Sequence, residues 1–147
     1  MLKIANIIAK TVPSAFVKYD EDFGVEFDLL FIQKEELNKI TGQFTKMKFN
    51  PKTHQKDEVI DSDGLRNRIC EKCVKGWKGV TPRWLATMFP IDKEEVEDME
   101  EEIEFSQENL TTIIEKAYGL DGWIFENVRN GANFNRSQEH KDEQIKN

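Results

Sequence analysis

Two cysteines three positions apart, in Cys70-Glu71-Lys72-Cys73, are the sharpest chemical signal in the chain. At the start of a helix such a pair makes a redox dithiol, because the positive helix end lowers the first thiol's pKa and produces the reactive thiolate. With two further ligands the same pair would hold zinc. The surrounding pattern supports neither use. Leu65, Ile69, Cys73 and Val74 share one face of a helix predicted from an Asp61 or Ser62 cap, which puts the thiols well inside it. The only histidines, His54 and His140, stand alone. The pair reads as structural thiols, with no metal or cofactor implied, and stoichiometric zinc in purified protein would overturn that reading.

Carboxylates are the second candidate. Asp92 to Glu104 carries nine of them: Asp92, Glu94, Glu95, Glu97, Asp98, Glu100, Glu101, Glu102 and Glu104. A general acid and base must be held at fixed separation in a pocket that moves one pKa, and a contiguous run does not provide this. The run also lacks the Asp-x-Asp-x-Asp-Gly spacing of a calcium loop, and Asp61-Ser62-Asp63-Gly64 has no Glu at the distance that such a loop requires. It reads as a solvated acidic linker. No catalytic residue is assigned, and the chain reads as a non-enzyme.

The elements that would position these groups follow from periodicity. Val25, Phe27, Leu29 and Phe31 recur at period two after the Asp20-Glu21-Asp22 turn, with Glu26 and Asp28 between them, so residues 14–32 read as a β-hairpin. A lone hairpin is marginal in water and needs cover, with a third strand expected near Val59 or Glu104–Phe105. Leu37, Ile40, Phe44 and Met47 recur at three and four, which predicts a helix from Gln33 to Met47, followed by a loop at 49–55. Beyond the Cys70 helix, ended by Gly76, Thr81-Pro82 opens a short helix that Pro90 closes. Ser106 caps a helix through Leu110, Ile113, Ile114, Ala117 and Tyr118, ended by Gly119. Asp121 caps a last one through Trp123, Ile124, Phe125 and Val128, and 137–147 reads as a flexible tail. The expected fold is α+β: an N-terminal antiparallel hairpin or small sheet at 14–32, then a mainly helical part at 33–136, in one domain.

Size and composition suit that plan. The 147 residues are 33 % charged and 38 % hydrophobic with formal net charge −7, and mean hydropathy is −0.65. An acidic surplus disfavours nucleic acid, which needs clustered cations. The longest apolar run, Leu29 to Ile32, is far short of a bilayer span of ~20 residues, so no membrane is expected. Met1 to Val12 lacks the features of a secretory signal, which places the chain in the cytoplasm. What remains is apolar and aromatic surface, better suited to holding another polypeptide than to making bonds.

The order of segments supports the same idea. The Phe16-Val17-Lys18-Tyr19-Asp20 strand, the Glu35-Glu36-Leu37 helix start and the Gly76-Trp77-Lys78-Gly79-Val80-Thr81-Pro82 turn come first. The acidic spacer, Phe105-Ser106-Gln107-Glu108-Asn109-Leu110 and the Trp123-Ile124 helix ending near Ala132-Asn133-Phe134 complete the series. From about Ser14 to Phe134 the chain resembles the tail assembly chaperones of tailed bacteriophages. Cys70 and Cys73 are not part of that pattern. The resemblance implies a protein of the infected host's cytoplasm, absent from the mature virion, that coats the tape measure protein and recruits tail tube subunits. It also implies that this is the shorter of two frameshift-related products.

On this reading the client meets Ile113, Ala117, Tyr118 and Phe125 on the C-terminal helices, the acidic spacer faces solvent, and copies self-associate through the N-terminal hairpin. The rival functions are a structural tail-completion or connector protein and an acidic mimic of nucleic acid that inhibits a DNA-binding enzyme.

Overall fold

A computed structural model describes residues 1–135; the tail expected at 137–147 and His140 lie outside the described residues. The architecture is α+β. One helical turn, α1 (Ile4–Ile7), precedes strands β1 (Ser14–Asp20) and β2 (Val25–Leu30), then α2 (Lys34–Gln43), β3 (Thr45–Asn50) and β4 (Gln55–Ile60). There follow α3 (Ser62–Cys73), β5 (Val74–Lys78), α4 (Pro82–Leu85), a 3₁₀ turn at Lys93–Glu95, α5 (Gln107–Lys116) and α6 (Leu120–Asn127).

The predicted N-terminal hairpin is present. Asp20 Oδ1 accepts from the Asp22 and Phe23 amides at 3.1 and 3.3 Å, closing the turn that Gly24 completes at φ 68°. Alternation then sorts the faces: Val25, Phe27 and Leu29 are fully buried, with Ala15 and Val17 directly across from Leu29 and Phe27. Phe16 falls on the other face, where the Lys78 ammonium lies 4.0 Å from its ring centroid.

The third strand is neither at Val59 nor at Glu104–Phe105. β5 pairs antiparallel with β2, giving the order β1-β2-β5, while Val59 belongs to a separate two-stranded ribbon of β3 and β4. Accordingly α3 ends at Cys73, before Gly76, and Val74 already has strand dihedrals. Glu104–Phe105 forms no strand, although the neighbouring Ile103 amide donates to the Val80 carbonyl at 2.7 Å just beyond β5.

Residues 44–60 form neither the helix end nor the loop that the periodicity predicts. The helix from Gln33 stops at Gln43, its end closed by the Phe44 amide on the Thr41 carbonyl and by the Thr45 hydroxyl on the same oxygen. Met47, expected on the apolar helix face, is 57 % exposed in β3, and the expected loop at 49–55 is the turn of a hairpin. That turn is an Asx turn: Asn50 Oδ1 accepts from the Lys52 amide at 2.9 Å, and the Asn50 side chain donates to Asp57 at 2.8 Å.

Most predicted caps form. Asp61 accepts from the Gly64 amide, Thr81 from Trp84 with Pro82 in the first turn, and Ser106 from Asn109. Asp121 is the exception. Gly119, with φ 80°, stands at the N-cap of α6, so Asp121 falls in the first turn and pairs with Arg66 of α3 at 3.1 Å. The preceding helix ends at Lys116, and α4 runs only to Leu85 before a turn reaches Pro90. Buried apolar residues from Ala15 to Phe134 form one core, with Phe27 and Tyr19 at the centre of an aromatic cluster that includes Trp77, Trp84 and Trp123.

Candidate functional site

Cys70 and Cys73 sit on the last turn of α3, where the helix packs against the sheet and α6, and both are buried. Burial pushes the Cys70 thiol up to about 12, with the nearby Asp121 carboxylate and Cys73 adding to it. The Cys73 thiol is pushed up to about 11 by burial, against the opposing pull of Lys72 and Lys75. At neutral pH both are neutral thiols without the thiolate that redox exchange requires. Among the described residues no group of three or more His, Cys, Asp or Glu side chains is placed to hold a metal ion.

Native protein at pH 8 is therefore expected to alkylate with iodoacetamide at least about a thousandfold more slowly than protein in denaturant, since reaction waits for opening. The sign of the pH dependence follows from the upward shifts. Stability due to the neutral thiols is present below their ordinary value of 9.0 and is lost as pH rises toward 11 and 12. Denaturation midpoints measured from pH 8 to 11 should fall more steeply for the parent than for the Cys70→Ala/Cys73→Ala variant.

The acidic segment is a strap rather than a free linker. Its nine carboxylates are exposed, as expected, but its backbone is pinned to the core. The Arg83 amide donates to the Met99 carbonyl at 3.0 Å, the Arg83 guanidinium pairs with Glu100, and the Gly79 amide donates to Glu102 at 2.9 Å. Trp77 Nε1 donates to the Ile103 carbonyl at 2.7 Å, and the Phe105 ring meets Trp77 edge-on at 5.0 Å. Trp77→Phe keeps one aromatic ring but removes that donor and part of the buried indole, so it should cost about 2–4 kcal/mol. Urea denaturation and faster cutting of 92–104 by a Glu-specific protease would register the loss.

The four residues expected to form a client surface are divided between core and exterior. Ile113 and Ala117 are 3 % and 6 % exposed, because the apolar face of α5 is already covered by α3 of the same chain. Tyr118 is 97 % exposed. Phe125 is half-buried, with the Arg129 guanidinium 4.2 Å from its ring centroid. Ile113 and Ala117 are thus support for the fold and are not available to a partner.

Large apolar side chains face outward elsewhere. The N-terminal arm exposes Leu2, Ile4, Ile7 and Ile8 at 82, 77, 64 and 60 %, and no residue of α1 is buried. At the foot of the arm an opening of about 200 Å³ is lined by Val12, Leu30, Phe31, Ile32 and Cys73, with the Glu36–Lys72 ion pair at its edge. Lys72 holds the Glu36 carboxyl below its ordinary range, chiefly by hydrogen bonding. The β3–β4 ribbon exposes Met47, Phe49, Val59 and Ile60. A larger groove of about 590 Å³ between α3 and α5 is lined by the side chains of Arg68, Glu71, Gln107, Glu108, Thr111 and Thr112.

Sequence reasoning passed over both outward segments. The ribbon had a readable signal, Lys46-Met47-Lys48-Phe49 at period two followed by Asn50-Pro51, and so did the arm, with isoleucines at 4, 7 and 8. Among the described residues no helix is long and apolar enough to cross a membrane. No protein-family model, curated protein or solved structure matches the chain.

Proposed function

We propose that this chain is a tail assembly chaperone of a tailed bacteriophage: a non-enzymatic protein of the host cytoplasm, absent from the finished particle, that binds the tape measure protein and helps recruit tail tube subunits. The resemblance along residues 14–134 supports this reading. The observation that carries it is the arm, which offers Leu2, Ile4, Ile7 and Ile8 to solvent. Fully burying one such side chain is worth ~1.5–3 kcal/mol, so an arm that leaves four uncovered gains most by laying them on a partner. Ile4, Ile7 and Ile8 have i, i+3, i+4 spacing, and the single turn of α1 is too short to hold itself as a helix in water. Contact with a helical apolar client supplies what that turn lacks, in the helix-in-groove manner. On this reading the client meets the arm instead of α5 and α6.

Co-expression with the protein encoded immediately downstream tests the reading. The wild-type chain should keep that protein soluble and co-purify with it. Ile7→Asp/Ile8→Asp should lower recovery of the client by about 100-fold, roughly tenfold per side chain, while the melting temperature stays put because both residues are exposed. A client that remains insoluble beside the wild-type chain would sink the proposal. So would mass spectrometry finding the chain at stoichiometric level in purified particles, the result expected of a connector.

A further inference from the structure

We propose that the β3–β4 ribbon docks onto the acidic strap of a second copy of this chain, in a head-to-tail contact. Among the described residues the ribbon pairs with no other strand, and every residue of β4 is exposed. A two-stranded hairpin with nothing against it is marginal in water, so this one has much to gain from cover. Residues 45–60 carry four lysines, Lys46, Lys48, Lys52 and Lys56, against two carboxylates, in a chain whose net charge is −7. None of the four lysines makes an ion pair within the chain, among the described residues. Directly opposed residues share a face, so Lys46, Lys48 and Val59 lie with Asp57 on one face, while Met47, Phe49 and Ile60 lie with Lys56 and Glu58 on the other. The face of Lys46, Lys48 and exposed Val59 therefore carries a surplus of positive charge beside an apolar side chain, and Lys52 in the turn adds to it.

The complement of that surface is on the same molecule. In the strap Glu94, Glu95, Glu97, Glu101 and Glu104 are exposed and free of any ion pair among the described residues, and half-buried Val96 and Met99 lie among them. Its backbone is already fixed at Met99 and Ile103 by Arg83, Val80 and Trp77, and the Glu102 side chain by Gly79, so docking has less of it to order. Among the described residues no ion pair joins ribbon to strap within one chain, which leaves both charges for a neighbour. Nucleic acid is the poorer occupant, because the strap on the same molecule repels phosphate while it attracts lysine. Ribbon and strap are different surfaces, so each copy keeps one of each after pairing, and the contact propagates into a ring or an open chain. This inference does not rest on the client reading, which uses the arm.

Sedimentation velocity on the full chain over a concentration series tests it. The wild type should form species larger than a dimer at about 50 mM salt and shift at least tenfold toward monomer at about 500 mM, as screening of exposed charge demands. Two variants are made: Lys46→Glu/Lys48→Glu/Lys56→Glu in the ribbon and Glu94→Lys/Glu95→Lys/Glu97→Lys in the strap. Each alone should be monomeric, and an equimolar mixture should recover association. All six positions are exposed, and the corresponding Gln substitutions serve if a reversal fails to fold. A wild type monomeric at low salt would overturn the proposal. It would equally be overturned by variants that associate like the parent, by a mixture that stays monomeric, or by ribbon reversal that abolishes binding of a DNA oligonucleotide while self-association is unchanged.

Discussion

Phe27→Ala should cost about 3–5 kcal/mol, a large share of the ~5–15 kcal/mol that holds a domain of this size together. Phe27 is the middle residue of the apolar ridge on β2 and is wholly buried. Its ring meets Tyr19 edge-on at 5.8 Å and Trp77 at 6.2 Å, with Trp123 and Trp84 at 5.9 and 6.4 Å. Four rings from four elements cannot collapse into the vacated space together, so the cavity penalty adds to the lost transfer energy. Phe16 on β1 is the control. It is 41 % exposed on the outer face beneath Lys78, and Phe16→Ala should cost at most about 1 kcal/mol. Urea denaturation followed by tryptophan fluorescence measures both. A loss below about 1.5 kcal/mol for Phe27→Ala, or two equal losses, would show that the sheet does not bury this face.

That pair of variants probes a feature the sequence makes readable on its own. The alternation in β2 and the caps at Asp61, Thr81 and Ser106 are local: a few neighbouring residues decide them, and periodicity or cap chemistry reports them directly. β5 is different. Val74-Lys75-Gly76-Trp77-Lys78 contains a glycine and follows a helix without a break, and it is extended because the far edge of β2 offers hydrogen bonds. That is tertiary context prevailing over propensity. At 44–50 two periods overlap, since Ile40, Phe44 and Met47 fit a helix while Lys46, Met47, Lys48 and Phe49 fit a strand. The deciding partner, Gln55–Ile60, has little strand character of its own.

The candidate surface was legible only in part for a related reason. Spacing shows which face of α5 is apolar, but not whether α3 of the same chain will cover it, and Ile113 and Ala117 fall on the wrong side of that distinction. Likewise the charge of 92–104 correctly announces exposed carboxylates. It says nothing of the backbone bonds through Met99 and Ile103 that turn a linker into a strap.

Gly79→Ala should be among the most damaging single changes available outside the core side chains. Gly79 has φ 76°, a backbone conformation that costs an L-residue roughly 1–2 kcal/mol. A Cβ there would also lie 2.3 Å from the Gly24 carbonyl oxygen, 2.8 Å from its carbon and 3.1 Å from the Val25 nitrogen. These are backbone atoms of the β1–β2 turn, itself tight at Gly24, so relief requires separating that turn from the end of β5. The displacement also strains the Gly79 amide bond to Glu102 that helps hold the strap. The expected loss is about 3 kcal/mol or more. Gly119→Ala isolates the backbone term, because φ there is 80° yet no heavy atom lies within 4 Å of the added Cβ, and it should cost only about 1–2 kcal/mol. Gly122→Ala, within α6 and equally unobstructed, should instead stabilise by about 0.5–1 kcal/mol through helix propensity. Thermal unfolding of the three variants should rank them Gly122→Ala above the parent, then Gly119→Ala, then Gly79→Ala. Equal losses at 79 and 119 would mean that the β1–β2 turn and the end of β5 are not in contact, and that the strap is anchored without them.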